Sequence, residues 1–251
     1  MPRKPFIAGN WKMHLTAAEA AQLTASIVSN CNGLTDRDVF IAPPFTSLAM
    51  VAEIAKDSGI IIGAQNVCWE EQGAYTGEIS PKMLLDIGCS MAIVGHSERR
   101  TIFGESDQMI NKRVTGALTH GIDPILCVGE TLEERERGIT FEVLERQMRG
   151  CLKGVNDTSA QRIVIAYEPV WAIGTGKTAT NEQAQDAHAF LRQLFAQIFK
   201  KELADSIRIL YGGSVKPENI DSLMNKPDID GALVGGAALK ADSFERIVKF
   251  K

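Results

Sequence analysis

Apolar residues recur along this chain in two alternating rhythms. Short, nearly unbroken apolar runs occupy residues 6–9, 39–42, 60–63, 91–95, 124–128, 162–167, 207–211 and 231–234. Such runs predict strands buried on both faces, as in a parallel sheet covered by helices. Between them apolar residues fall at three- and four-residue steps. Ala184, Ala187, Leu191, Leu194, Phe195 and Ile198 form one such stripe and predict a helix over 181–202. Thr180 with Gln183 and Thr131 with Glu134 have the spacing of capping boxes, so helices are expected to begin there and run over 181–202 and 133–152. Gly121 is placed to stop a helix over 106–120.

Eight strand-then-helix units give about 31 residues per unit, the length of a βαβ crossover. Eight right-handed crossovers close into an α/β fold, a single-domain (β/α)8 barrel over 1–251. An open doubly wound sheet is the alternative, but no GxGxxG follows the first strand. No Pro/Ser-rich linker divides the chain.

Composition narrows the partners. The chain has 251 residues, 45% hydrophobic, with 27 Lys and Arg against 31 Asp and Glu, for a net charge of −4. That balance excludes intrinsic disorder and argues against a general nucleic-acid partner, which needs a basic surface. A small anionic substrate remains compatible, because a local cluster can be positive on an acidic protein. Five cysteines without CxxC spacing predict neither a disulfide framework nor a zinc site, and point to a reducing, cytoplasmic setting. No signal peptide or membrane span is expected, since no apolar run nears the roughly 20 residues a span requires.

In a barrel of this kind chemistry gathers where the strands end. The first strand ends in Gly9-Asn10-Trp11-Lys12, the fourth in Gly95-His96-Ser97-Glu98 and the sixth in Tyr167-Glu168-Pro169. The seventh and eighth end in Gly212-Gly213-Ser214 and Gly235-Gly236-Ala237, whose bare backbone N–H groups suit a phosphate, although such pairs also serve packing alone. Glu168 follows an apolar run, so desolvation is expected to raise its pKa toward that of a useful base; capping a backbone N–H is the plainer reading. His96 is either a structural histidine or a neutral hydrogen-bond donor held at a helix start. His120 and His188 read as structural, and no histidine cluster suggests a metal. Gly174-Thr175-Gly176-Lys177-Thr178 is not a P-loop, because Trp171 stands where that motif needs glycine. It reads as a lid with hinges at both ends, or as a long surface turn.

Together these segments carry a resemblance. Residues 6–13 (Phe-Ile-Ala-Gly-Asn-Trp-Lys-Met), 92–100 (Ala-Ile-Val-Gly-His-Ser-Glu-Arg-Arg), 166–176, 209–215 and 231–237 are similar to the triosephosphate isomerase family, and the likeness runs from residue 6 to about 250. It implies a cofactor-free, metal-free interconversion of dihydroxyacetone phosphate and D-glyceraldehyde 3-phosphate. By the same resemblance Glu168 is the base, His96 the electrophile and Lys12 the substrate-holding cation. Asn10 stands beside Lys12 and Glu98 pairs with it. The N–H groups of Gly174, Ser214, Gly235 and Gly236 would cradle the phosphate. The lid would include Val170, Trp171, Gly174, Gly176 and Ala179. Glu130 and Trp171 would meet when it is open, and Tyr211 and Ser214 would meet Ala179 and Gly176 when it is closed. A homodimer is implied as well, with Gln65 and the loop 72–78 docking around the partner's counterpart of Met13. Two positions depart from the family pattern: His14 for Asn near that interface, and Ala238 for Ser after the last strand. The lost hydroxyl at Ala238 predicts a looser loop, so Ala238→Ser is expected to raise the melting temperature. Two rival readings are another phosphate-binding barrel, such as a sugar-phosphate epimerase or an aromatic-biosynthesis synthase, and a non-catalytic barrel scaffold. Neither would be expected to carry the Asn10, Lys12, His96 and Glu168 set with the lid.

Overall fold

The eight apolar runs become eight parallel strands in the computed structural model, which describes residues 3–174 and 177–251. They are β1 (Phe6–Asn10), β2 (Asp38–Ala42), β3 (Ile61–Ala64), β4 (Met91–Val94), β5 (Asp123–Val128), β6 (Val164–Tyr167), β7 (Ile209–Tyr211) and β8 (Gly231–Val234). Each pairs with the next, and β8 pairs back to β1, closing a barrel.

The unbroken apolar character of the strands follows from closure. Alternate residues such as Phe6, Phe40, Met91, Ile93, Ile125 and Leu210 fill the barrel. Their neighbours Ile7, Ile41, Val94, Leu126, Ile165 and Ile209 belong to the larger core shared with the helices. With water excluded from both faces, each large aliphatic side chain contributes about 1.5–3 kcal/mol of burial. Gly63 makes room for one of the largest: a Cβ there would stand 2.2 Å from the Phe40 ring.

The helices agree with their signals at the starts and depart at two interiors. Thr131 and Thr180 both form capping boxes, with Glu134 and Gln183 respectively. The helix Asp107–Thr119 has Ser106 as its N-cap and is followed by Gly121 at φ +89°. The segment expected as one helix over 133–152 is two, Leu132–Glu136 and Thr140–Cys151. Gly138 at φ +72° breaks it, a backbone state that glycine enters without steric penalty. The segment expected over 181–202 likewise ends at Ile198, and a second helix spans Lys201–Ser206. There the chain turns at Phe199, which leaves helical geometry with its ring 4.6 Å from that of Phe195. Strand β7 starts two residues later than expected and β3 is shifted by one.

All five cysteines are buried and free. Among the described residues no helix is long and apolar enough to cross a membrane. Ala238 is fully buried in the turn Gly236–Leu239, its N–H donating to the Gly235 carbonyl at 2.8 Å.

Candidate active site

Because the strands are parallel, their C-terminal ends all open onto one face, and the polar residues just beyond them converge there. A cavity of about 430 Å³ opens between them. Asn10, Lys12, His96 and Glu168 line it together with the backbone after β7 and β8, including Gly212, Ser214, Gly235 and Gly236. Gly174 also lines it.

Lys12 is held in an unusual backbone state, φ +52°, which a residue with a side chain adopts only under external constraint. Its N–H donates to Asn10 Oδ1 at 3.0 Å, and its carbonyl accepts from Gln65 Nε2 at 2.8 Å. Gln65 also donates to the Ala42 carbonyl at 3.0 Å, anchoring this turn to β2. The Lys12 ammonium pairs with Glu98 Oε1 at 2.7 Å. Its stem passes beside Gly235, where an added Cβ would be 3.5 Å from Lys12 Cε. Glu98 does not line the cavity itself and meets it through its ion pair with Lys12.

His96 caps the short helix Ser97–Thr101, and its Nδ1 accepts the Glu98 N–H at 3.2 Å. That bond requires a lone pair on Nδ1, so the ring proton lies on Nε2. Nε2 is 2.9 Å from Glu168 Oε1. Burial works against a charge on the ring, but the Glu168 carboxylate outweighs it and lifts the His96 pKa above its ordinary value.

Glu168 is 2% exposed. Its Oε2 accepts the Ser97 N–H at 2.9 Å, and its Oε1 lies 3.4 Å from the Ser97 hydroxyl. The expected rise in its pKa is not what this arrangement produces. Burial does push the carboxyl up, but His96, the Ser97 N–H and the Lys12 ammonium prevail and hold it below its ordinary value. An apolar flanking sequence reports burial alone, whereas the charge partners arrive from other strands. Cys127, inside the barrel, has its thiol pushed well up by burial and by the Glu168 carboxylate.

The segment after Glu168 is held by the loop after β5. Val170, Trp171 and Ala172 form a single 3-10 turn. Trp171 Nε1 donates to Glu130 Oε1 at 2.9 Å, and the Tyr167 hydroxyl lies 3.1 Å from both Glu130 oxygens. Gly174 has φ +69°. Ala179 is buried, and Val170, Trp171 and Ala179 stand outside the cavity wall. The expected lid residue Gly176 lies outside the described residues. The Tyr211 hydroxyl has its pKa pushed up to about 12 by burial, with the Ala179 N–H acting in the opposite sense.

Three contributors had no explicit reading in the sequence: the Ser97 N–H, Gly129 and Gln147. Gly129 faces the Glu168 carbonyl so closely that a Cβ would come within 1.7 Å of it. Gln147 bonds to Gly129 and is a polar residue at an apolar-stripe position, three after Leu144 and four before Cys151, which was its available signal. Among the described residues no group of three or more His, Cys, Asp or Glu is arranged to hold a metal.

Residues 5–251 match the family model described as triosephosphate isomerase. The chain belongs to the triosephosphate isomerase family. A protein named triosephosphate isomerase from Syntrophotalea carbinolica is 57% identical over 249 residues, covering 99% of both chains. One of the same name from Geobacter metallireducens is 55% identical over 249 residues, again 99% of both. A third, from Carboxydothermus hydrogenoformans, is 56% identical over 247 residues and 98% of both. Membership of the triosephosphate isomerase family thus spans nearly the whole barrel, including every strand end that contributes to the cavity.

Proposed function

We propose that this chain interconverts dihydroxyacetone phosphate and D-glyceraldehyde 3-phosphate through an enediol or enediolate, without cofactor or metal. The observation that carries the proposal is the convergence of Glu168, His96 and Lys12 on one cavity whose opposite wall is glycine-rich backbone. The family membership and the shared names of the full-length relatives point the same way.

The substrate phosphate would sit against the N–H groups of Gly174, Ser214, Gly235 and Gly236, where dipoles complement its charge. The three-carbon chain would then reach toward His96 and Glu168. A proton beside a carbonyl is weakly acidic, so its removal requires fixed donors aimed at the oxygen where charge develops. The His96 Nε2–H, the Lys12 ammonium and the Asn10 amide are the donors available. Glu168 would take the proton from one carbon and return it to the next, while the His96 Nε2–H gives a proton to the former carbonyl oxygen and the ring takes one back from the neighbouring hydroxyl. The Glu168 carboxylate accepts the Ser97 N–H at 2.9 Å, and a turn about its side chain would bring it to the substrate. Its depressed pKa keeps it ionised and ready at neutral pH. Once it leaves His96, the ring loses the stronger of the two carboxylates that favour its charge, Glu98 being the other, and the Glu98 N–H on Nδ1 then favours the neutral donor.

The lid comprises Val170, Trp171, Gly174, Gly176 and Ala179. The Trp171–Glu130 bond is the contact expected of an open lid and the approach of the Ala179 N–H to the Tyr211 hydroxyl one expected of a closed lid, and full closure over the phosphate would exclude water from the reacting carbons. The chain is proposed to work as one domain over 1–251 and as a homodimer in the cytoplasm, with neither nucleic acid nor membrane as partner. Dimerisation is supported by large apolar side chains in and beside the loops after β1, β3 and β4: Met13 is 94% exposed, Ile102 71%, Phe103 67% and Met83 57%. Burying these against a second copy removes them from water. His14, next to Met13, is exposed in the single chain. The five free, buried cysteines support the reducing compartment. A coupled isomerisation assay on purified protein beside Glu168→Asp tests the reading. Robust activity in the wild type and a large loss in the variant are expected; full activity in the variant overturns the assigned base.

A further inference from the structure

The strand ladder between β5 and β6 ends at the pair Val128 and Tyr167. The next residue, Gly129, leaves that ladder, and its N–H and carbonyl need partners from elsewhere. Both are supplied by one side chain. Gln147, on the helix Thr140–Cys151 and 4% exposed, accepts the Gly129 N–H on Oε1 at 2.8 Å and donates from Nε2 to the Gly129 carbonyl at 3.0 Å. A carboxamide on the buried stripe of a helix is unfavourable unless both bonds form.

The residue so clamped is the middle of a platform. The Val128 carbonyl accepts the Glu168 N–H at 2.8 Å, and the Glu130 carbonyl accepts the Val170 N–H at 3.0 Å. Gly129 lies between these bonds with its Cα face against the Glu168 carbonyl. The base and the first residue of the lid segment therefore rest on backbone whose middle residue is held by Gln147.

We infer that Gln147 is a positioning residue, whose carboxamide sets the platform on which Glu168 and the lid hinge at Val170 are carried. The inference rests on reading Glu168 as the base. Gln147 touches neither the cavity wall nor the phosphate loops after β7 and β8 and reaches the anion only through Gly174 of the lid, so loss of the clamp acts on turnover far more than on anion affinity.

The test uses Gln147→Leu and Gln147→Glu in the full-length protein, with kcat and the competitive inhibition constant of inorganic phosphate as readouts. Gln147→Leu is expected to lower kcat at least ten-fold while the phosphate constant stays within two-fold. A protonated carboxylic acid can make both bonds to Gly129, whereas a carboxylate cannot donate and repels the carbonyl. Gln147→Glu is therefore expected to approach wild-type kcat at low pH and to fall at least five-fold below it as pH rises. The charged groups lining the adjoining cleft are Arg100, Arg146, Glu105, Asp107 and Glu134, all of them also present in the wild-type reference. Three outcomes overturn the inference: kcat of Gln147→Leu within two-fold of wild type, kcat and phosphate affinity falling together, or a pH-independent ratio for Gln147→Glu. If Gln147→Leu does not fold, the pH profile of Gln147→Glu decides alone. Inactivity of the wild type overturns the reading of the site and the inference with it, and is distinguished by needing no variant.

Discussion

The two sides of the cavity are built differently. On the side of β4 to β6, side chains are fixed by several partners: Glu168 by the Ser97 N–H and the His96 ring, Trp171 and Tyr167 by the Glu130 carboxylate, and Gln147 by the Gly129 backbone. On the side of β7 and β8 the wall is rich in glycine backbone, with Gly212, Gly213, Gly235 and Gly236 lining the cavity and the Gly212 N–H tied to the Tyr167 carbonyl at 2.7 Å. A proton-transfer group must be aimed to within a fraction of an ångström, which demands several anchors per side chain. A dianion is satisfied by converging dipoles, which demand close approach and therefore the absence of side chains. One wall is vulnerable to the loss of atoms and the other to their addition.

Gly129 is the exception that tests this contrast most severely, because it is a glycine within the side-chain wall. A methyl group there meets the Glu168 carbonyl carbon and oxygen, neither of which can yield without moving the base. Gly129→Ala is expected to lower kcat at least 100-fold, or to prevent folding, in a steady-state assay with a parallel circular dichroism spectrum. Activity within ten-fold of wild type would break the contrast.

Within the backbone wall the glycines are not equivalent. A Cβ at Gly213 would stand 2.3 Å from the Tyr211 hydroxyl and 3.0 Å from Pro169, whereas at Gly236 nothing lies within 4 Å. Gly213→Ala is expected to raise KM and lower kcat, by about ten-fold in kcat/KM, since roughly 1.4 kcal/mol of misplacement is enough for that. Gly236→Ala is expected to stay within three-fold in kcat, with any effect confined to KM. Equal effects at the two positions would show that the packing around Tyr211 and Pro169 is irrelevant.

The seam between the walls bears on stability and not on turnover. His188 is fully buried beneath it, its ring 5.9 Å from that of Tyr167 and 6.4 Å from that of Tyr211. Burial drives its pKa down from 6.5 to about 3. The unfolded chain therefore binds a proton at this residue between pH 6.5 and 3 that the folded chain refuses. Stability from neutral burial is present above pH 6.5 and is lost as pH falls through that window, by about 1.4 kcal/mol per unit, or roughly 2 kcal/mol by pH 5. Urea unfolding at pH 7 and pH 5 should show that loss in the wild type and a smaller one in His188→Gln. An equal pH dependence in both would remove His188 as its source.

Much of this site is legible in the sequence, for a physical reason. The strands are short, apolar and local, and the parallel topology carries the residues beyond each strand to the same end of the barrel. The placement of Asn10, Lys12, His96, Glu168 and the glycine pairs at one end was therefore legible from position, whereas their roles were legible only through the family resemblance. Relations between strands were not. The sign of the Glu168 shift depends on His96, Ser97 and Lys12, which come from β1 and β4. The breaks at Gly138 and Phe199 also escaped the periodicity. Glycine inside a helical pattern is tolerated as often as it terminates, and Phe199 carries no stop signal of its own. Gln147 announced itself only as a polar residue out of phase, with nothing local to name Gly129 as its partner.

The central claim is that the Glu168 carboxylate moves the proton, and hydrogen exchange tests it most directly. In deuterium oxide with dihydroxyacetone phosphate, the wild type is expected to incorporate deuterium at the carbon adjacent to the carbonyl as it turns over. Glu168→Gln, which keeps the shape but not the basicity, is expected to lose that incorporation by at least 1,000-fold, roughly 4 kcal/mol, while still binding inorganic phosphate. Exchange within ten-fold of wild type in Glu168→Gln would contradict the assignment.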